Sequence, residues 1–193
     1  MLFTHMVVYH KRYGTRLNNL AMKSLDTLND AGHPSLDEAI SIHELTASLS
    51  SFKINIIYEG QISSKIGKPD YMLRLGKDVV LFVSVTRAFH LKYNNVSKSF
   101  DDLFSPEEAI RLMKKKMSGL EVCMQREGFF LNDVYQGKQR PSKVKVIPVL
   151  HVLVPSSREA IWCRDAFYAN PNHMKVKLII TQTTENIFRP NRI

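Results

Sequence analysis

Cysteine is scarce in this 193-residue sequence, which contains only Cys123 and Cys163. The two form no Cys-x-x-Cys motif and no Cys/His cluster at zinc spacing, which argues against a disulfide framework or a zinc site and favours a reducing, intracellular compartment. No apolar run approaches the roughly 18 to 20 residues that span a bilayer, so we predict no membrane partner. A P-loop and a Gly-x-Gly-x-x-Gly motif are also absent, which removes the usual signatures of nucleotide binding.

Acidic residues are fewer than basic ones. The sequence has 18 Asp and Glu and 27 Lys and Arg, which gives a net charge of +9. A surplus of this size favours a polyanionic partner, DNA or RNA. The alternatives are an anionic membrane surface and a charge that only aids solubility. No acid precedes Asp26. That N-terminal pattern resembles a mitochondrial presequence in charge but lacks its serine and arginine richness. We therefore predict a nuclear or cytoplasmic protein, with the mitochondrion as an alternative.

The apolar pattern along the chain alternates between helical and strand spacing. It predicts helices over 17–28, 36–50, 106–127 and 157–168, and strands over 2–9, 54–58, 71–75, 79–85, 144–154 and 176–181. A run of three strands followed by a helical crossover indicates an α/β fold with a mixed central sheet and helices on both faces. We expect one domain over 35–185, preceded by a strand/helix extension over 1–34 packed on the core and followed by a loose tail over 186–193.

The central motif is a hairpin that starts at Pro69-Asp70 and ends at Ser84-Val85-Thr86. A helix, a three-strand meander, a helix and a strand around such a hairpin resemble the common core of PD-(D/E)xK nucleases, the restriction-endonuclease-like group. The resemblance implies that Asp70 is the Pro-Asp aspartate that binds Mg²⁺ or Mn²⁺. It also implies that residues 84 and 86 are the acid and lysine positions, and that Glu44 is the glutamate of the first helix.

The hairpin departs from that family at both remaining motif positions, because Ser84 and Thr86 carry no charge. Metal-dependent phosphodiester hydrolysis needs converging oxygen anions and a group that orients or deprotonates water. We therefore predict a catalytically impaired domain or a non-catalytic subunit of a nucleic-acid-processing complex, with no cofactor. One alternative is an active Mg²⁺ or Mn²⁺ nuclease with migrated acids, for which the candidates are Asp101, Asp102, Glu107 and Glu108. Another is a protein-interaction scaffold that reuses the fold.

Asp70 also has a purely structural interpretation, since an aspartate after proline can cap nearby backbone amides. Glu44 has one too, as a surface helix acid. His43 and His151 fall on apolar faces, so we expect both to be satisfied core histidines.

Basic side chains supply the predicted nucleic-acid interface, because clustered lysines and arginines bind phosphate backbones. The alternative is that each cluster is only a solvated face. The predicted binding residues are Arg87, Lys92, Arg111, Lys114, Lys115, Lys138, Arg140 and Lys143. Aromatic residues could stack bases if they are exposed near the site, and the candidates are Tyr71, Phe89 and Tyr93.

Overall fold

The computed structural model describes residues 6–11, 17–26, 36–63, 67–89, 91–94, 99–102, 104–136 and 138–183. The strands are β1 (Met6–Lys11), β2 (Ile54–Tyr58), β3 (Tyr71–Leu75), β4 (Val79–Arg87), β5 (Leu91–Asn94), β6 (Ser99–Asp102), β7 (Lys145–Val154) and β8 (Lys177–Thr183). The helices are α1 (Asn19–Asp26), α2 (Leu36–Ser48), α3 (Pro106–Gln125), α4 (Glu127–Tyr135) and α5 (Ser157–Tyr168).

Six strands form the central sheet, in the order β1-β8-β7-β4-β3-β2. The strands β2, β3 and β4 make an antiparallel meander, and β4, β7, β8 and β1 are mutually parallel. The prediction of an α/β fold with a mixed sheet is therefore confirmed. The strands β5 and β6 form a separate antiparallel hairpin, in a region where no strand was predicted.

Helices cover both faces of the sheet because successive strand residues point to opposite sides. On one face Leu73, Val83 and Leu153 pack against buried residues of α2 such as Ile40. On the other face the strands pack against buried residues of the helices that follow β4, as Phe82 does against Phe130 of α4.

Serine caps begin α3 and α5. Ser105 accepts a hydrogen bond from the Glu108 amide at 3.3 Å, and Pro106 occupies the first turn. Ser156 accepts one from the Arg158 amide at 3.1 Å. The predicted tail at 186–193 lies outside the described residues, as do residues 27–35, which precede α2.

The apolar stripe of α3 lies in the core, with Met113 and Met117 buried, whereas Ile110 is 56% exposed and does not belong to it. Helix α4 was not predicted, because Gly128 indicated the end of the preceding helix. A short break at Arg126 separates the two helices, and Gly128 lies within the first turn of α4.

Pro148 lies within β7, although proline has no backbone amide to donate to a neighbouring strand. It pairs with Phe82 of β4, but β8 joins β7 only from Val149 onward. The missing amide of Pro148 therefore falls where β7 has a single neighbouring strand.

The N-terminal extension contributes directly to the sheet, since β1 pairs with β8. Asn18, just before α1, joins that helix to α2 through its side-chain amide, which donates to the Thr46 hydroxyl at 2.8 Å. The Asn18 backbone amide donates to Nδ1 of His43, so this histidine is satisfied as predicted, but it is half-buried and does not lie in the core.

Both cysteines are free and buried. Burial raises the pKa of Cys123 to about 11 and that of Cys163 to about 12. Within the described ranges no helix is both long and apolar enough to cross a bilayer.

Candidate functional site

Asp70 lies immediately before β3, at the end of the sheet where the parallel strands have their carboxyl ends. This end of the sheet, around Asp70, Ser84 and Val85, is the Asp70 edge. Its backbone amide donates to the Val83 carbonyl at 2.9 Å. Its carboxylate accepts the Val85 amide at 2.5 Å and the Ser84 hydroxyl at 3.1 Å. The carboxyl edge of parallel strands is where α/β proteins commonly build ligand sites.

Ser84 and Thr86 share one face of β4, as their spacing predicted. That face carries Phe82 into the core beneath α4, and Ser84 contacts a side chain of α3. Both motif positions are half-buried. The structure therefore brings Asp70 and Ser84 together in the way the motif implied, without a carboxylate at residue 84.

The cation beside Asp70 is Lys116 of α3, which was not among the predicted site residues. Its ammonium donates to the Val85 carbonyl at 2.7 Å and to the Ser84 hydroxyl at 3.4 Å. It also lies 3.8 Å from the Asp70 carboxylate. The helical spacing offered a signal for this contact, because Lys116 lies at the margin of the buried stripe formed by Met113, Met117 and Leu120.

A second ion pair lies close by, between Asp37 in the first turn of α2 and Arg87 at the end of β4. Burial raises the pKa of Asp37, while the hydrogen bond and charge of Arg87 oppose that rise. The charges of Lys116 and Asp70 also act on the pKa of Asp37, so the two pairs form one electrostatic cluster. The Arg87 guanidinium also lies over the Phe89 ring, 5.5 Å from its centroid.

Glu44 does not take the place beside Asp70 that the family resemblance implied. The acid of α2 in this cluster is Asp37, and Glu44 lies seven residues further along the helix, about 10 Å along its axis. Glu44 is only 6% exposed, so it is also not the surface helix acid of the alternative interpretation.

The two acidic residues in the first turn of α3, Glu107 and Glu108, make their contacts at the N-terminus of that helix. Glu107 accepts the Ser105 hydroxyl at 2.8 Å, and this hydrogen bond lowers the pKa of Glu107. The backbone amide of Glu108 is the one that Ser105 caps, and its carboxylate pairs with Arg111 at 3.4 Å. The side chains of Asp101 and Asp102 lie outside the described residues.

The predicted basic residues occupy two separate surfaces. Arg111, Lys114 and Lys115 are exposed on the outer side of α3, the helix that carries Lys116. The other group, exposed in the loop before β7, comprises Lys138, Arg140 and Lys143. That loop enters β7 at Lys145, which pairs with Val79, six residues before Val85 on β4. The loop group therefore joins β7 at the opposite end of the sheet, about 20 Å along the strands from the Asp70 edge. Lys92 is on β5, where no side chain is described.

Tyr71 cannot stack a base, because it is fully buried. Its hydroxyl is 2.6 Å from the Ser41 hydroxyl, which in turn is 2.6 Å from Nδ1 of His151. Nε2 of His151 is 2.8 Å from the Thr181 hydroxyl. This buried chain of hydrogen bonds crosses from β3 to β8 beneath α2. It confirms the structural interpretation of His151.

Gly67 sets how closely the chain before Asp70 approaches α3. Its φ is +59°, and a Cβ added there would lie 2.5 Å from Val122 Cγ1. The Cys123 thiol donates to the Gly67 carbonyl at 2.9 Å. A glycine at this position therefore lets residues 67–70 lie against the helix that supplies Lys116.

The residues at this edge do not fit the divalent metal that the resemblance implies. Mg²⁺ and Mn²⁺ prefer several oxygen ligands, usually with more than one carboxylate. Asp70 has an ammonium as its neighbour, and Asp37 has a guanidinium. Across the described ranges, no group of three or more His, Cys, Asp or Glu is arranged to hold a metal ion.

No protein-family model, curated protein or solved structure matches this chain.

Proposed function

We propose that this chain is a nucleic-acid-binding domain with a PD-(D/E)xK-like fold and without a working metal-dependent nuclease centre. The observation that carries the proposal is the position of Lys116. Its ammonium lies beside Asp70, where a nuclease of that family would place a metal ion. The domain would serve as a non-catalytic subunit of a nucleic-acid-processing complex.

The topology supports the family part of the proposal. The helix α2 precedes the meander β2-β3-β4, α3 and α4 follow it, and β7 then pairs in parallel with β4. This is the order expected for the common core of that family. Asp70 and Ser84 also lie next to each other at the edge where the family builds its site.

The binding part of the proposal rests on charge and exposure. The chain carries a net charge of +9. Arg111, Lys114 and Lys115 present exposed positive charge on the helix that also reaches Asp70 with Lys116. A phosphate backbone laid along this side of α3 would pass close to the Asp70 edge. We therefore favour α3 over the loop before β7 as the main contact.

Two variants with equal loss of charge test that choice. One replaces Arg111, Lys114 and Lys115 with alanine, and the other replaces Lys138, Arg140 and Lys143. Fluorescence anisotropy with labelled single- and double-stranded DNA and RNA, at about 50 to 200 mM salt, measures affinity and its salt dependence. We expect wild-type binding to weaken as salt rises. We expect the α3 variant to lose affinity and up to about three units of salt slope, because each phosphate contact contributes about 0.9.

The loop variant should keep most of the affinity, since net charge alone would affect both variants equally. Absence of salt-sensitive binding to every nucleic acid tested would disprove nucleic-acid binding. The same samples incubated with Mg²⁺ or Mn²⁺ test the catalytic part. Cleavage by the wild type that disappears in Asp70→Ala would instead establish an active nuclease.

A further inference from the structure

Three oxygen atoms of different chemical kinds surround the ammonium of Lys116. They are the Val85 carbonyl at 2.7 Å, the Ser84 hydroxyl at 3.4 Å and an Asp70 carboxylate oxygen at 3.8 Å. All three come from the β3–β4 edge, whereas Lys116 comes from α3. The edge therefore provides the oxygen cluster, and the helix provides the cation that sits in it.

Carbonyl, hydroxyl and carboxylate oxygens are also the donors that Mg²⁺ and Mn²⁺ take. An ammonium differs from a metal ion because it satisfies these oxygens by donating hydrogen bonds, and because it carries one positive charge instead of two. One carboxylate and one ammonium balance each other, so this edge offers a divalent ion no net negative charge to attract it.

Lys116 is also held in place by its own helix. Met113, Met117 and Leu120 are buried on both sides of it along α3. The close approach at Gly67 and the hydrogen bond from Cys123 fix the same helix against the segment that leads to Asp70. A tethered ammonium is present at a high effective concentration, which a free ion would have to overcome.

We propose that Lys116 is a built-in cation that replaces a divalent metal ion at the Asp70 edge and excludes one from it. The inference rests on the PD-(D/E)xK-like fold of the proposed function, but it concerns metal binding alone and does not depend on whether the chain binds nucleic acid. The Lys116 ammonium would then hold the Asp70 edge in its observed arrangement, and no bound metal ion would be needed. Removing the ammonium should therefore expose a cation site that the wild-type chain lacks.

Mn²⁺ binding to the full chain tests this, with electron paramagnetic resonance reporting free Mn²⁺. Lys116→Ala is compared with wild type and with Lys115→Ala, which removes the same charge from the neighbouring exposed position. We expect Lys116→Ala to gain one site at least about tenfold tighter than any in the other two proteins. Adding Asp70→Asn to Lys116→Ala should abolish the gain.

Circular dichroism establishes that each variant is folded. Should Lys116→Ala not fold, Lys116→Gln takes its place, because it removes the charge but keeps N–H donors for Val85 and Ser84. A folded variant at position 116 that gains no Mn²⁺ affinity would overturn the proposal. The proposal would also be overturned if the wild-type chain bound Mn²⁺ at about 1 mM at this edge, as shown by selective broadening of the Val85 amide signal in nuclear magnetic resonance spectra.

Discussion

The carboxylate of Asp70 accepts the backbone amide of Val85 at 2.5 Å, across the pair of strands β3 and β4. Strand β3 begins at Tyr71, but β4 continues to Arg87. Val85 therefore lies beyond the reach of the β3 backbone, and the Asp70 side chain supplies the acceptor that a longer strand would have provided. Asp70 thus has a structural role whether or not the edge has a chemical one.

That role predicts different costs for two substitutions of Asp70. Asp70→Ala leaves the Val85 amide without its acceptor, and we expect a loss of about 1–3 kcal/mol in the free energy of unfolding. Asp70→Asn keeps an acceptor oxygen and loses only the interaction with Lys116, so it should cost about 1 kcal/mol or less. Urea denaturation at neutral pH measures both.

Asp165→Ala is the control for loss of an exposed acid and should change stability by less than about 0.5 kcal/mol. Equal costs for Asp70→Asn and Asp70→Ala would mean that the acceptor for Val85 is not what Asp70 contributes.

Much of the fold was predictable because local patterns and tertiary structure agree. The strands at 54–58 and 71–75 were predicted to the residue, since each is a short apolar run bounded by turn residues. Helix α4 could have been found from Phe130, Leu131 and Val134, whose spacing fits one buried helical face. The β5–β6 hairpin could not, because its strands are polar and short.

The site was less predictable, because its contacts join residues far apart in the chain. Asp70 and Ser84 were found together, since a hairpin fixes which residues face each other. Lys116 and Asp37 were not, because their contacts depend on how α3 and α2 dock on the sheet. Helical spacing places Lys116, but not Lys114 or Lys115, at the margin of the buried stripe, and only the docked helix shows that its ammonium reaches Asp70.

The pair of glycines at 67 and 76 allows steric contact to be separated from backbone strain. Both have positive φ, but only a Cβ at Gly67 would meet another residue, Val122, whereas nothing lies within 4 Å at Gly76. We expect Gly76→Ala to cost about 1–2 kcal/mol from its left-handed backbone alone. Gly67→Ala should cost more, and denaturant unfolding measures the difference.

Val122→Ala combined with Gly67→Ala should recover the excess, because it removes the contacting methyl group. If Gly67→Ala and Gly76→Ala have the same cost, then the close approach to α3 does not constrain this segment.

The Asp37–Arg87 pair should show measurable coupling in a double-mutant cycle. Removing Arg87 leaves a largely buried carboxylate without its main cation, which raises the pKa of Asp37 further. Because the Arg87 side chain is 35% exposed, solvent screens the pair, and we expect a coupling energy of about 1 kcal/mol. The cycle uses Asp37→Asn and Arg87→Gln with urea denaturation.

The exposed pair Arg164–Asp165 is the matched control and should couple by less than about 0.5 kcal/mol. Equal coupling in the two cycles would show that burial of Asp37 adds nothing to its interaction with Arg87.

His151 should make the fold sensitive to mild acid. Burial lowers the pKa of His151 to about 3, and its two ring nitrogens lie at hydrogen-bond distance from the Ser41 and Thr181 hydroxyls. In the unfolded chain a histidine has a pKa near 6.5. Between these values the unfolded state binds a proton that the native state does not, so stability falls as pH falls through this window and is fully present above it. The expected loss between pH 7 and pH 5 is about 2 kcal/mol.

Two variants separate protonation of His151 from loss of its hydrogen bonds. His151→Gln should be less stable than wild type at pH 7, and its free energy of unfolding should depend less on pH between 7 and 5. Thr181→Val removes a partner of the ring but not the titrating group, so it should lower stability at both pH values while keeping the wild-type slope. Urea denaturation at several pH values measures both. If His151→Gln retains the wild-type slope, another group must be responsible for the acid sensitivity, and burial of the ring would not explain it.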